Sequence, residues 1–161
     1  MQNITKVEDI KQLASLAKEI WFEYWPGTLS NEQIEYMVKK FQSQKAIQNQ
    51  IDNENYTYYF INVNNENAGY FGVSDKKEYL FLSKIYIKKS YRHKGIGTKT
   101  FNEIIKIAKS INLNKIRLTV NKHNINSINA YNKWGFKTID SVVENIGNGF
   151  VMDDYIMEYQ I

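Results

Sequence analysis

The sequence predicts an α/β fold, α+β in its segregation of helices from strands, built on a mixed, mostly antiparallel sheet of about six to seven strands flanked by helices. Three observations lead there. The opening third carries apolar residues at helical spacing. From Tyr56 the pattern changes to short aromatic and β-branched runs separated by turn residues. Further on, a strand-like run, a basic glycine loop, an amphipathic run and a second strand-like run follow one another, the order of a parallel strand, helix, strand unit with its right-handed crossover.

Residues 2–6 suit a short strand. Ile10, Leu13, Ala14, Ala17, Ile20, Trp21 and Tyr24 then follow the i, i+3, i+4, i+7 rule of an amphipathic helix, which Pro26-Gly27 ends. Ser30 with Gln33 forms a capping box ahead of Ile34, Met37, Val38 and Phe41, a second helix continuing irregularly through Ile47 and Ile51. Residues 56–63, a turn at Asn64-Asn65-Glu66-Asn67, residues 68–74 and residues 79–87 read as an antiparallel meander. Phe101, Ile104, Ile105 and Ala108 mark a helix, and residues 115–120 return as a strand. Residues 126–134 are helical, Gly135 stops them, and final strands are expected at 137–140 and 151–159. With neither repeat nor linker, residues 1–161 read as one domain.

Composition narrows the chemistry. The chain is 43% apolar, 24% charged and 14% aromatic, as expected of a folded globular protein rather than a disordered one. It has no cysteine, which removes disulfides, thiolate nucleophiles and Cys-ligated metal centres. Its two histidines, His93 and His123, lack metal-helix spacing, so no metal is expected. No signal pattern or membrane-length apolar run is visible, which points to a cytoplasmic protein without a membrane partner. The net charge of +4 favours anionic ligands without implying nucleic acid, for which no helix-turn-helix, zinc-finger or aromatic RNA-reading motif is present.

The most informative stretch is Arg92-His93-Lys94-Gly95-Ile96-Gly97-Thr98, between the strand ending at Ile87 and an amphipathic run beginning near Thr98. Glycine permits close approach of another molecule to the backbone, and the first amides of a helix lack internal partners, so this segment reads as a pyrophosphate cradle. Lys84, Lys88, Lys89, Arg92, Lys94 and Lys99 surround it with no acidic residue among them. The spacing is neither that of a P-loop nor that of a dinucleotide fingerprint.

A second motif follows at Asn124-Ile125-Asn126-Ser127-Ile128-Asn129-Ala130-Tyr131-Asn132-Lys133-Trp134-Gly135-Phe136. An Arg-x-x-Gly-x-Gly loop after the fourth strand and an Asn-x-x-Ser-x-x-x-Tyr-x-x-x-Gly-Phe segment after the fifth resemble the GCN5-related N-acetyltransferases, and the order of elements resembles theirs over most of the chain. The resemblance implies that the backbone from Arg92 through His93, Lys94, Gly95, Ile96 and Gly97 to Thr98 holds the pyrophosphate of acetyl-CoA. It implies too that Ile85, Tyr86 and Ile87 pair with pantetheine as an extra strand would, and that Asn124 bonds the cofactor arm while Ser127 starts the helix carrying Tyr131.

The implied chemistry is direct acetyl transfer from a thioester to a primary amine. An amide near Tyr86 would donate to the developing oxyanion, and Tyr131 would protonate the departing thiolate. From spacing alone Tyr131 reads equally as a core aromatic against Phe136, Asn124 and Asn126 as turn and cap residues, and Trp21, Tyr24 and Trp25 as core or acceptor-pocket aromatics. One departure from the family matters: Ser83 stands where some relatives carry an acidic residue, leaving Glu35, Glu78, Asp153 and Asp154 as substitutes for the general base. Glu19, Glu23, Glu35, Asp153 and Asp154 would draw a cationic acceptor such as a polyamine or other small amine. A peptide N-terminal acetyltransferase and a noncatalytic acyl-CoA-binding module are the alternatives. Homodimers are frequent in similar proteins, and the final strands are the expected contact surface.

Overall fold

The computed structural model describes residues 2–4 and 6–161, residues 2 and 3 by their backbone alone. In chain order the elements are β1 (Gln2–Ile4), α1 (Val7–Tyr24), α2 (Asn31–Phe41), α3 (Gln44–Asn53), β2 (Tyr56–Val63), β3 (Glu66–Asp75), β4 (Leu80–Ile87), α4 (Ile96–Ser110), β5 (Lys115–Asn121), α5 (Ile125–Trp134), β6 (Lys137–Gly147) and β7 (Phe150–Gln160), with a 3-10 turn at Lys89–Tyr91. Hydrogen-bonded neighbours run β1-β2-β3-β4-β5-β7-β6. The chain forms two compact units, Met1–Ser74 with Ser83–Thr100, and Asp75–Leu82 with Phe101–Ile161, so that β4 and α4 each contribute to both.

In the first unit, α1 buries the stripe Ile10, Leu13, Ala17, Ile20 and Trp21 that its periodicity announces. Ile10, Leu13, Ala17 and Ile20 of this stripe join Ile47 of α3 with Tyr58, Phe60 and Tyr70 of the meander in one core. Ser30 caps α2 by accepting from the Gln33 amide at 3.1 Å. The expected irregular continuation of α2 is instead a separate helix: the chain leaves helical geometry at Gln42, and the Ser43 hydroxyl caps α3 by accepting from the Ala46 amide at 3.3 Å. β1 and β2 pair antiparallel, as do β2 and β3, whose turn uses left-handed Asn64 and Asn65. β1 spans only residues 2–4 of the expected 2–6, and Thr5 lies outside the described residues.

In the second unit, Leu80 and Phe81 pair in parallel with Ile116 and Arg117 of β5, the parallel neighbour relation expected of the crossover. β7 pairs antiparallel with β5 from Lys115↔Gln160 to Asn121↔Asp154, and with β6 on its other side. Phe101 stacks on Trp134 at 4.9 Å and meets Phe136 at 5.3 Å and Tyr159 at 5.1 Å, anchoring α4 and α5 to one face of that sheet segment. β6 is far longer than the expected 137–140. It is exposed along nearly its whole length, Val143 to 68%, so no inward-outward alternation marks it in the sequence. Pairing with β7 defines it, through two bulges and a turn with positive φ at Gly147, Asn148 and Gly149.

Candidate active site

The end of β4 and the loop after it are fixed from three directions. Tyr86 packs against Trp21 at 5.6 Å, Tyr24 at 6.1 Å and Tyr70 at 5.6 Å, which holds the strand carrying Ile85 and Ile87 against α1 and β3. β3 approaches so closely at Gly69 that a Cβ there would lie 2.2 Å from the Tyr86 carbonyl oxygen, and the Lys88 amide donates to the Ala68 carbonyl at 2.9 Å. Glu23 of α1 accepts from the Lys89 amide at 2.8 Å and meets the Arg92 guanidinium at 3.5 Å.

Arg92 is therefore committed within the loop. Its Nε donates to the Ile87 carbonyl at 2.8 Å and its guanidinium lies 4.8 Å over the Tyr24 ring, so the side chain closes the turn between β4 and α4. Beyond it the backbone is left-handed at His93 (φ 60°) and at Gly95 (φ 74°), a curl of the kind from which amide nests are made. α4 starts at Ile96, two residues earlier than expected, and the Lys99 amide donates to the Gly95 carbonyl at 3.1 Å. Ile96 and Gly97 thus occupy the opening turn, where helix amides lack internal partners and the dipole is positive. Thr98 follows them on the exposed side, and Thr100 turns inward to bond the Ile96 carbonyl at 2.9 Å.

The basic segment divides into three parts. Lys88 pairs with Glu19 at 2.9 Å and Arg92 with Glu23, while Lys89, His93, Lys94 and Lys99 stay exposed. Lys84 does not belong to the cradle. It is only 8% exposed, and its Nζ donates to the Phe41 carbonyl at 3.1 Å, to Gln50 Oε1 at 3.0 Å and to the Tyr58 hydroxyl. Burial lowers its pKa to about 7, against a smaller opposing pull from Glu54. Burial also raises the Tyr58 hydroxyl well above its usual value. This cluster was missed in the sequence, although the alternation Leu80, Leu82, Lys84 points the lysine inward. Ser83, on the other face of β4, bonds the Tyr56 side chain.

The second motif folds as α5 and its flanks. Asn124 is the N-cap: its Oδ1 accepts from the Ser127 amide at 3.3 Å, so Ser127 sits within the first turn rather than starting the helix. Gly135 (φ 98°) ends the helix, with the Phe136 amide returning to the Tyr131 carbonyl at 3.0 Å. The half-buried Tyr131 ring lies 5.6 Å from Trp134 and 5.7 Å from Phe136, so packing fixes the ring. The expected cradle residues thus come together in the first unit, and Asn124, Ser127 and Tyr131 in the second.

Among the acidic residues, Glu35 and Glu78 are exposed, Asp153 pairs with Lys122, and Asp154 is partly buried with its pKa raised to about 6. Burial is the main cause, followed by repulsion from Asp153 and Glu144. Among the described residues, no helix is long and apolar enough to cross a membrane.

Comparison with known proteins gives the family. A spermidine N(1)-acetyltransferase of Thermoplasma acidophilum is 28% identical over 151 residues, covering 91% of each chain. The crystal structure of a PaiA N-acetyltransferase from Thermoplasma acidophilum, in complex with coenzyme A, superposes over 100% of both chains with a TM-score of 0.81 at 25% identity. A GCN5-related N-acetyltransferase structure from Rhodopseudomonas palustris shares the fold at a TM-score of 0.81 and 13% identity, over 99% of this chain and 94% of that one. The family model for the acetyltransferase (GNAT) domain matches residues 27–158, which include both the glycine loop and the α5 motif, and the chain belongs to the GNAT acetyltransferases.

Proposed function

We propose that this transferase moves acetyl from acetyl-CoA to the primary amine of a small molecule, with a polyamine as the favoured acceptor. The observation that carries the reading is the loop from Arg92 to Gly97, curled by left-handed His93 and Gly95, pinned to Glu23 and opening directly into α4. The relatives' names support donor and acceptor: one acts on spermidine and one was crystallised with coenzyme A.

When bound, acetyl-CoA supplies an activated thioester. The loop amides and the exposed Lys94 and Lys99 hold its phosphates, and the backbone of Ile85, Tyr86 and Ile87 pairs with the pantetheine arm. Asn124 and Ser127 orient the same arm from the start of α5. A β4 amide near Tyr86 donates to the oxygen on which negative charge develops, an interaction worth a few kcal/mol at such sites. Tyr131, with a phenol of reference pKa near ~10, gives its proton to the leaving sulfur.

The test is free-thiol release from acetyl-CoA with spermidine, putrescine, lysine peptides and aminoglycosides as acceptors. Spermidine is expected to give the fastest release, and preference for the peptides would move the assignment to a protein acceptor. Tyr131→Phe should keep coenzyme affinity and melting temperature while turnover falls about 10²-fold. Unchanged turnover would leave Tyr131 a packing residue only.

A further inference from the structure

Lys84 buries an amine whose bonds all go to uncharged oxygens, and neither coenzyme holding nor proton transfer uses it. We propose that Lys84 is a positioning residue: gripped by α2, α3 and β2, it fixes the stretch of β4 from which Ile85, Tyr86 and Ile87 meet the coenzyme, an inference that rests on the acetyltransferase reading.

This stretch of β4 needs such a restraint. Among the described residues, the parallel ladder with β5 reaches only Leu80 and Phe81, so from Lys84 onward the strand has β3 on one side and an open edge on the other. An open edge offers its backbone groups to an extended ligand, but it is held by half the usual ladder. The close approach at Gly69 sets the spacing between β3 and β4 without setting the tilt of the outer edge. That tilt is left to the side chains that β4 sends into the core, which by alternation are Lys84 and Tyr86.

The grip on Lys84 comes from three elements. Phe41 ends α2, where the last carbonyls lack helical partners and the dipole is negative, and its oxygen accepts from Nζ at 3.1 Å. Gln50 Oε1 of α3 accepts from Nζ at 3.0 Å. The Tyr58 hydroxyl of β2 accepts the third hydrogen and donates its own to Gln50 Oε1 at 2.5 Å. Gly72 of β3 makes the room for this, since a Cβ there would lie 2.7 Å from Tyr58 Cε1. Next to Phe41, Gln42 Oε1 accepts from the Tyr70 hydroxyl at 3.3 Å, and Tyr70 stacks on Tyr86 at 5.6 Å. Lys84 directly, and Tyr86 through Tyr70, are therefore tied to the junction between α2 and α3. Sliding β4 by one residue, about 3.3 Å, would break every bond of Nζ, because N–H···O bonds hold only near about 2.7–3.2 Å.

Stability alone does not call for a lysine here. A methionine would fill the same space without the cost of desolvating an amine. What the amine adds is direction, because its bonds must meet three fixed oxygens, whereas a methionine adjusts its rotamer to the space it finds. The arrangement serves both protonation states. Charged, Nζ donates to all three oxygens; neutral, it donates to Phe41 and Gln50 and accepts from the Tyr58 hydroxyl, so three bonds remain.

The test is coenzyme A affinity, by calorimetry at pH 6 and pH 8, for the folded parent, Lys84→Met, Tyr58→Phe, the double variant and Ile47→Val. Ile47→Val trims the same core and leaves the cluster intact. Lys84→Met should weaken Kd about tenfold at both pH values, the size by which residues remote from a ligand modulate its binding. Tyr58→Phe should weaken it less, and the double variant no more than Lys84→Met, because both changes act through one clamp. Ile47→Val should lower the melting temperature and keep the parent's Kd. A clamp that serves stability alone would leave Kd unmoved in every folded variant. Parent-like Kd in folded Lys84→Met, additive losses in the double variant, or an equal loss in Ile47→Val overturns the proposal while leaving the acetyltransferase assignment intact. So does a loss confined to pH 6, which would make Lys84 a charge attracting the anionic coenzyme. If Lys84→Met does not fold, Tyr58→Phe against Ile47→Val decides alone, and parent-like affinity in Tyr58→Phe overturns the proposal. No binding of coenzyme A by the parent would overturn both.

Discussion

Lys84 places an amine in the interior of the first unit, where Gln50, Tyr58 and the Phe41 carbonyl receive its hydrogens and the Tyr58 ring lies 4.9 Å away. These partners offset only part of the cost of desolvating a charge, which is why burial brings its pKa from 10.5 down to about 7. The sign of the linkage follows. Because the folded pKa lies below the unfolded one, the stability contribution is full above about pH 10.5 and is lost as pH falls through the interval to about 7. Urea unfolding at pH 6, 8 and 10 should therefore show the parent gaining stability relative to Lys84→Met as pH rises, by a few kcal/mol at most. A difference that stays constant across the series would mean that Lys84 remains charged throughout. The same residue shows why a sequence misassigns side chains at this scale. Among six basic residues close in the chain, charge made Lys84 look like its neighbours, whereas strand alternation, a weaker signal beside one lysine, set its direction.

At the scale of elements, the contact between β3 and β4 decides where the candidate coenzyme strand lies. Gly69 is buried against the Tyr86 carbonyl, and the Cβ of an alanine would fall 2.2 Å from that oxygen, closer than atoms tolerate. Gly69→Ala should force β4 outward, costing about 1–3 kcal/mol in unfolding free energy and weakening coenzyme binding through the displaced Tyr86 backbone. Normal coenzyme affinity in a folded Gly69→Ala protein would show that the strand edge is not the binding element. The meander, α1 and α5 were legible because each had its own periodic stripe, cap or stop signal, as with Ser30 before α2 and Gly135 after α5. The boundary between α2 and α3 and the length of β6 were not. Ser43 caps a helix whose apolar positions continue those of α2, and β6 exposes both faces, so its register exists only in its pairing with β7. In the site, the loop backbone was readable from its glycines, but the commitment of Arg92 to Glu23 and Tyr24 was not, because it depends on tertiary placement of α1.

For the whole molecule, a net charge of +4 would favour an anionic coenzyme and oppose a cationic acceptor if charge were spread evenly. The structure distributes it otherwise. Lys84 is buried, Glu19 and Glu23 neutralise Lys88 and Arg92, and Lys89, Lys94 and Lys99 remain exposed around the loop. Asp140, Glu144 and Asp154 share a face in the other unit. The chain therefore carries two local fields of opposite sign, and on the acetyl-CoA reading salt should weaken coenzyme binding at the basic one. Raising ionic strength from about 0.1 M to about 1 M shortens the Debye length from about 10 Å to about 3 Å, which would screen the exposed lysines far more than amides touching a bound phosphate. Coenzyme Kd should rise several-fold over that range, and a variant with Lys89, Lys94 and Lys99 changed to Gln should start weaker and respond little to salt. If the parent's Kd does not move, the loop binds through its backbone alone and the exposed lysines serve solubility. If Kd rises equally in the triple variant, the charge that matters lies outside the loop, and the division of the basic segment into buried, paired and exposed residues would not describe its electrostatics.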